Sequence, residues 1–169
     1  MLFFKEIQTE RLTLRGPRLD DAEAIYKELG CNPAITRYTG WNPYTSIEAT
    51  QAVLSENIAE NESSGLKGFS WVIEADGKLA GTVGAYDYSS EDNSIELGYS
   101  IIESQWGKGY ASEAACATTD WLLTVNGIDA VKAWVDADNA ASVRVLQRAG
   151  MTETGEEDQR KYYEIRKRP

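Results

Sequence analysis

The chain has 169 residues, 42% of them hydrophobic, with a formal net charge of −10. That length gives one domain over residues 1–169 with enough core to fold unaided, and the acidity argues against a nucleic-acid binder, which needs a basic face. With no histidine and only Cys31 and Cys116 as cysteines, lacking C-x-x-C spacing, the sequence excludes histidine triads, histidine metal ligands and a redox thiol pair.

The elements follow in order. Thr9-Glu-Arg-Leu-Thr-Leu-Arg15 alternates as a strand, with Leu12 and Leu14 on one face, and Gly16-Pro17 ends it. Asp20-Asp-Ala-Glu23 has the spacing of a capping box and opens a helix with Ala22, Ile25, Tyr26 and Leu29 inward and Gly30 at its close. Residues 32–44 read as a loop around at most one helical turn. Thr45-Ser-Ile-Glu48 is a second capping box, starting a helix along Ile47, Leu54 and Ile58 that ends at Ser63-Ser-Gly65. Trp71–Ala75 and Leu79–Tyr86 form a hairpin about Asp76-Gly77. Ser89–Asn93 then turns the chain into Ser94–Ile102, where Ile95, Leu97, Tyr99 and Ile101 alternate with Ser94, Glu96, Gly98 and Ser100.

After that strand the period becomes helical, through Ala111, Ala114, Thr118, Trp121 or Leu122, and Val125, with Asn126-Gly127 as a stop. Ala130–Val135 is a further strand, expected beside Ser94–Ile102 after a crossover. Asp138-Asn139 caps a short helix with Val143, Leu146 and Ala149 inward, and residues 151–155 and 161–166 make a closing hairpin. No repeat, linker or low-complexity segment divides the chain. No apolar run approaches a membrane span and Met1–Phe4 is too short for a signal peptide, so no membrane partner and a cytoplasmic setting are expected.

The chemistry concentrates where strand passes to helix. Gly107-Lys108-Gly109 lets backbone approach another molecule closely, and the helix that follows offers unpaired N–H groups to a phosphate. A Walker loop needs G-x-x-x-x-G-K-[ST], which is absent, and a dinucleotide fingerprint needs a third glycine where Ser112 stands. What the stretch resembles is the pyrophosphate loop of the GNAT N-acetyltransferases, [Q/R]-x-x-G-x-[G/A], with Trp106 standing for the usual Gln or Arg. The wording W-G-x-G-Y-A-x-E-A after Glu-Leu-Gly-Tyr, together with T-E-R-L-x-L-R and D-D-A near the start, resembles the RimJ/RimL-like, ribosomal-protein-acetylating branch.

The resemblance implies an α+β fold: a mixed, mostly antiparallel sheet of six to seven strands flanked by helices and splayed between the fourth and fifth. It implies acetyl-CoA as co-substrate, no metal, and transfer of the acetyl group to a primary amine, a protein N-terminus among the candidates, by direct attack in a ternary complex. Backbone of Tyr99, Ser100 and Ile101 would pair with the pantetheine arm, and Trp106, Gly107, Lys108, Gly109, Tyr110, Ala111 and Ser112 would hold the pyrophosphate. Lys108 is equally readable as a solvated loop lysine. Asn139 would contact the cofactor or order water. Residues 32–44 would wall the acceptor site, making Arg37, Tyr38, Trp41 and Tyr44 candidate acceptor contacts, or else cover for a core edge.

Glu96 matches the glutamate that serves as base in several members, with Glu156 and Glu157 as rivals and a solvated or ion-paired side chain as the alternative. Leu146 stands where many members carry an acidic Tyr, so the N-x-x-S serine, Ser142, is the candidate acid or a helix-start hydroxyl. An antibiotic- or polyamine-type small amine is the alternative acceptor. An idle acyl-CoA sensor or interaction module is the alternative in another class.

Overall fold

The computed structural model describes residues 2–63 and 67–169. Eight strands form one sheet: β1 (Ile7–Gln8), β2 (Leu12–Arg15), β3 (Phe69–Ala75), β4 (Lys78–Ser89), β5 (Ser94–Ile101), β6 (Ala130–Asp136), β7 (Thr152–Glu157) and β8 (Arg160–Arg166). Their order is β1-β2-β3-β4-β5-β6-β8-β7, with β5–β6 the parallel pair and every other pair antiparallel. The expected six to seven strands become eight through β1, whose two residues pair with Leu14 and Thr13 and are too few to show an alternation. The fourth and fifth strands of the sequence reading are therefore β5 and β6.

Helices cover both faces. On one lie α1 (Ala22–Ile25, continued as a wider turn through Gly30), α2 (Pro33–Thr36) and α3 (Ile47–Glu62). Ala22, Ile25, Leu29, Ile35 and Leu54 there pack with Val72 and Ile102. The other face carries α4 (Tyr110–Thr124) and α5 (Ala140–Arg148), and the larger core, in which Leu122, Ile95, Val131 and Leu146 are fully buried. Truncating any of these leucines to Ala should cost about 2–5 kcal/mol, through lost transfer energy plus the cavity left behind.

Three local expectations are corrected. The first capping box is not Asp20–Glu23: the chain enters α1 through a tight turn at Leu19–Asp21, and the Asp21 carboxylate accepts from the Arg18 N–H at 2.8 Å. Asp21 is drawn there because buried Arg15 needs counter-charges, which Asp21 supplies at 2.7 Å and Glu74 at 2.6 Å. Glu23 instead pairs with Lys27 one turn on. At α3 the cap is Ser46, not Thr45, its hydroxyl accepting from the Ala49 N–H. Ser63 is the last described residue of that end; Ser64 and Gly65 lie outside the described residues. Val125, expected inward, follows the end of α4 and is 53% exposed, and Ile128 fills the core in its place.

The site is positioned by a divergence. β5 and β6 pair only from Ser94–Glu96 to Ala130–Lys132. Beyond that point β5 continues to Ile101 along β4, while β6 continues to Asp136 along β8.

Candidate functional site

Two cavities open along the divergence. The first, about 480 Å³, lies on the α2 side between β4, β5 and β6. The second, about 580 Å³, runs from the end of β5 over the α4 N-terminus to α5. Tyr38, Thr39, Tyr99, Ser100, Asn139 and Ser142 line both, so the two spaces meet at these residues.

The second cavity brings together a free strand edge, a helix N-terminus and two arginines. The Ile102 N–H donates to the Ala80 carbonyl, so residues 80 and 102 form a hydrogen-bonded pair. Antiparallel alternation then turns the backbone of Tyr99 and Ile101 away from β4, into the gap that β6 has left. At the turn, Gly107 and Gly109 hold φ of +77° and +79°, a left-handed conformation costly to any side-chain-bearing residue, and nothing would meet a Cβ at Gly107 within 4 Å. Gly109 is the N-cap of α4. The N–H groups of Tyr110, Ala111 and Ser112 precede the first intrahelical bond, Glu113 N–H to Gly109, and carry the helix's partial positive charge. Arg144 and Arg148 line the far wall.

The loop is held by a lock that joins the two quoted motifs. Glu113 accepts from the Thr9 hydroxyl at 2.6 Å, the Arg11 N–H at 2.8 Å and the Arg11 guanidinium at 2.6 Å. Arg11 also donates to the Lys108 carbonyl at 2.7 Å and lies over the Tyr110 ring. Burial would raise the Glu113 carboxyl, but these donors together hold it below its ordinary value. T-E-R-L and W-G-x-G-Y-A-x-E are thus two halves of one structure.

Trp106 contributes only a wall here. Its indole N–H donates to the Ile101 carbonyl at 2.8 Å and its backbone N–H to Glu103, so both donors are engaged. Lys108 lines neither cavity, and its ammonium bonds Gln105 at 2.7 Å.

The first cavity is aromatic and acidic. Glu96 lines it, half-buried, and accepts from the Trp134 indole N–H at 2.9 Å. Burial raises the Glu96 carboxyl above its ordinary value and the charge of Asp87 adds to that, against the opposing effects of the Trp134 N–H and Arg160. Trp134 is fixed on its faces, with the Arg160 guanidinium 3.9 Å from its ring centre. Gly40 lies so close that an added Cβ would stand 2.8 Å from the indole. Tyr86 lies across Gly84, where a Cβ would meet the phenol at 2.1 Å.

Of the four expected acceptor contacts, Tyr38 and Trp41 line this cavity. Arg37 and Tyr44 do not. Arg37 faces Asp138 at 3.9 Å, and Tyr44 stacks behind Trp41 at 4.8 Å and against Gly30. Glu156 and Glu157 are exposed on the edge strand β7 and line neither cavity.

At the junction the Ser142 and Tyr99 hydroxyls lie 2.8 Å apart. Asn139 caps α5, its side chain accepting from the Ser142 N–H at 3.2 Å. Burial pushes the Tyr99 phenol up to about 12, so it keeps its proton at neutral pH. Sequence reasoning assigned Tyr99 a backbone role and missed its hydroxyl, along with Trp134, Tyr86 and Asp87. One signal was available: in Ala130–Asp136, Trp134 alternates with the buried positions and so shares a face with Lys132, the register partner of Glu96.

A sheet that splays between two parallel strands, with a glycine-bounded helix N-terminus beside the gap, defines an acyl-CoA-dependent N-acyltransferase architecture. The chain belongs to the GNAT acetyltransferases, whose domain model matches residues 11–152. It is 33% identical over 154 residues to the uncharacterized N-acetyltransferase YoaA of Bacillus subtilis, covering 90% of this chain and 85% of that one. Its fold is similar to that of RimL, a ribosomal L7/L12 alpha-N-protein acetyltransferase solved with coenzyme A (TM-score 0.85, 21% identity, 96% and 98% of the two chains). It is also similar to that of MccE, a microcin C7 self-immunity acetyltransferase solved with acetyl-CoA and AMP (TM-score 0.82, 19% identity, 94% and 93%). The protein is an N-acetyltransferase, and acetyl-CoA is its co-substrate.

Proposed function

We propose that the second cavity takes acetyl-CoA, that the first takes a primary amine, and that the acetyl group passes directly between them. The observation that carries this is the meeting of the two cavities at Tyr99 and Ser142, with Glu96 lining only the first. Acetyl-CoA brings the activated acetyl thioester. The backbone of Tyr99 and Ile101 would hold its pantetheine arm as an added strand would, leaving out the Ile101 carbonyl that Trp106 occupies. The N–H groups from Gly109 to Ser112, with Arg144 and Arg148, suit its phosphates.

Glu96 takes a proton from the ammonium of the acceptor, directly or through water, and its raised carboxyl pKa makes it the stronger base. Ser142 relays a proton to the leaving sulfur and is reprotonated, through water, by the proton that the amine nitrogen loses as the tetrahedral intermediate collapses. Its hydroxyl is oriented by Tyr99 on one side, while the Asn139 cap fixes the start of its helix. The Tyr99 backbone N–H would steady charge on the carbonyl oxygen.

The fold shared with RimL supports a protein N-terminus as acceptor, and the exposed rim at Trp41 and Asp87 leaves room for a chain to enter. The cavity's own volume favours a second reading, a small amine. Thiol release from acetyl-CoA, with mass identification of products across amines and N-terminal peptides, tests the proposal. No release with any acceptor would reject it.

A further inference from the structure

In the reaction just described Asp87 acts only at a distance, its charge adding to the rise of the Glu96 carboxyl. Neighbouring residues of a strand face opposite ways, yet Tyr86 and Asp87 both line the first cavity. The cause is a bulge: the β4–β5 register shifts between Tyr86 and Ser89, and Asp87 takes a left-handed φ of +52°. Bulges of this kind re-aim a side chain. Here the strand is bent to bring a second carboxylate into a space that already holds Glu96.

No basic side chain among the described residues lines this cavity, and no ion pair reaches Asp87. The nearby cations lie outside it, although the charge of Arg160 reaches Glu96 and lowers its carboxyl. Arg160 lies on the Trp134 ring and Lys132 is paired with Asp92. The remaining walls include the rings of Tyr38, Trp41 and Tyr86, and aromatic faces attract cations. Two carboxylates and three rings around one opening are more than a single ammonium requires.

We infer that the acceptor carries a second positive charge beyond its reacting amine, and that Asp87 is the specificity residue that receives it. This rests on the reading of the first cavity as the acceptor site. Glu96 serves the amine that is acetylated; Asp87, at the rim, holds the other cation. The chemistry is that of a diamine or of a peptide whose N-terminus is followed by a basic side chain.

The test compares matched acceptors: hexylamine with 1,6-diaminohexane, and an Ala-Leu-Gly peptide with Ala-Lys-Gly. For wild type the dicationic member of the productive pair should have the higher kcat/KM by about tenfold, carried by KM and shrinking with added salt. In Asp87→Asn that ratio should fall towards one. Asn tolerates the left-handed backbone at least as well as Asp, so the variant should fold. The pair that shows the effect identifies the source of the second charge. Equal kcat/KM within both pairs, or a preference that survives in Asp87→Asn, overturns the inference. Binding of the same acceptors, read by calorimetry, separates it from the acetyl-transfer reading. Asp87-dependent diamine binding without turnover would uphold the inference and reject that reading.

Discussion

The two cavities differ in what makes them. The larger is lined by backbone: outward-turned strand groups, two left-handed glycines and the first N–H groups of α4, with Arg144 and Arg148 beyond. The smaller is lined by side chains: rings and two carboxylates, with no basic group among the described residues. Backbone recognition survives changes in most side chains, so it is common to a family. Side-chain recognition varies, and it is where the acceptor is chosen. The comparison can be broken from either side.

The largest effect should come from the side-chain cavity. Glu96→Gln keeps shape and the Trp134 contact but cannot take a proton, so transfer should fall on the order of 10²–10⁴-fold. The deficit should narrow as pH approaches the amine's own pKa, and acetyl-CoA affinity should stay unchanged. Rapid-quench transfer from pH 6 to 9 checks this; an unchanged profile would move the base elsewhere.

Next comes the backbone cavity. Gly109→Val places a branched side chain at a φ of +79°, where strain is about 1–2 kcal/mol, with its Cβ 3.4 Å from the Arg11 guanidinium that ties the loop down. Losing one or two charge-assisted N–H contacts should weaken acetyl-CoA on the order of tenfold to a hundredfold by calorimetry. Unchanged affinity in a folded variant would remove the loop from the site.

Ser142→Ala, at the junction, should lower transfer at every pH by on the order of tenfold, less than Glu96→Gln, because water can replace a hydroxyl donor. A fall confined to one end of the pH range would reassign it.

The smallest effect concerns stability. Burial raises the Glu96 carboxyl, so the folded state binds its proton more tightly than the unfolded state does. The stability it gives is fully present below the ordinary Glu value and is lost as pH rises through the folded value. Gln never ionises, so Glu96→Gln should melt slightly above wild type at pH 8, with the gap closing towards pH 4. A variant that melts lower at pH 8 would mean that the ionised carboxylate stabilises the fold.

The same contrast explains what the sequence could show. The backbone cavity was readable because its determinants are local: the alternation of Ser94–Ile102, the glycines at 107 and 109, and the start of α4 lie in one stretch. Even so, the Thr9–Arg11–Glu113 lock appeared only as two separate phrases, because its partners are about a hundred residues apart. The side-chain cavity was readable only in part. Glu96 and Tyr38 could be proposed one by one, but Trp134 reaches Glu96 through the parallel register of β5 and β6, which no local pattern reports. Asp87 enters through a bulge that breaks the alternation used to assign facing. The turn at Asp21 departs from its expected place for a similar reason, since the demand of buried Arg15 is a tertiary one.

Acetyl should pass straight across the junction, without resting on the protein. Neither Cys31 nor Cys116 lines either of the two cavities, and burial raises the Cys116 thiol above its ordinary value. The direct measurement is a single-turnover time course with a productive acceptor, following free thiol, acetylated amine and the intact mass of the protein together. Thiol and acetylated amine should appear in equal amounts from the earliest time point, with the protein's mass unchanged. An acetylated protein that forms before the amine product and decays into it would contradict the account.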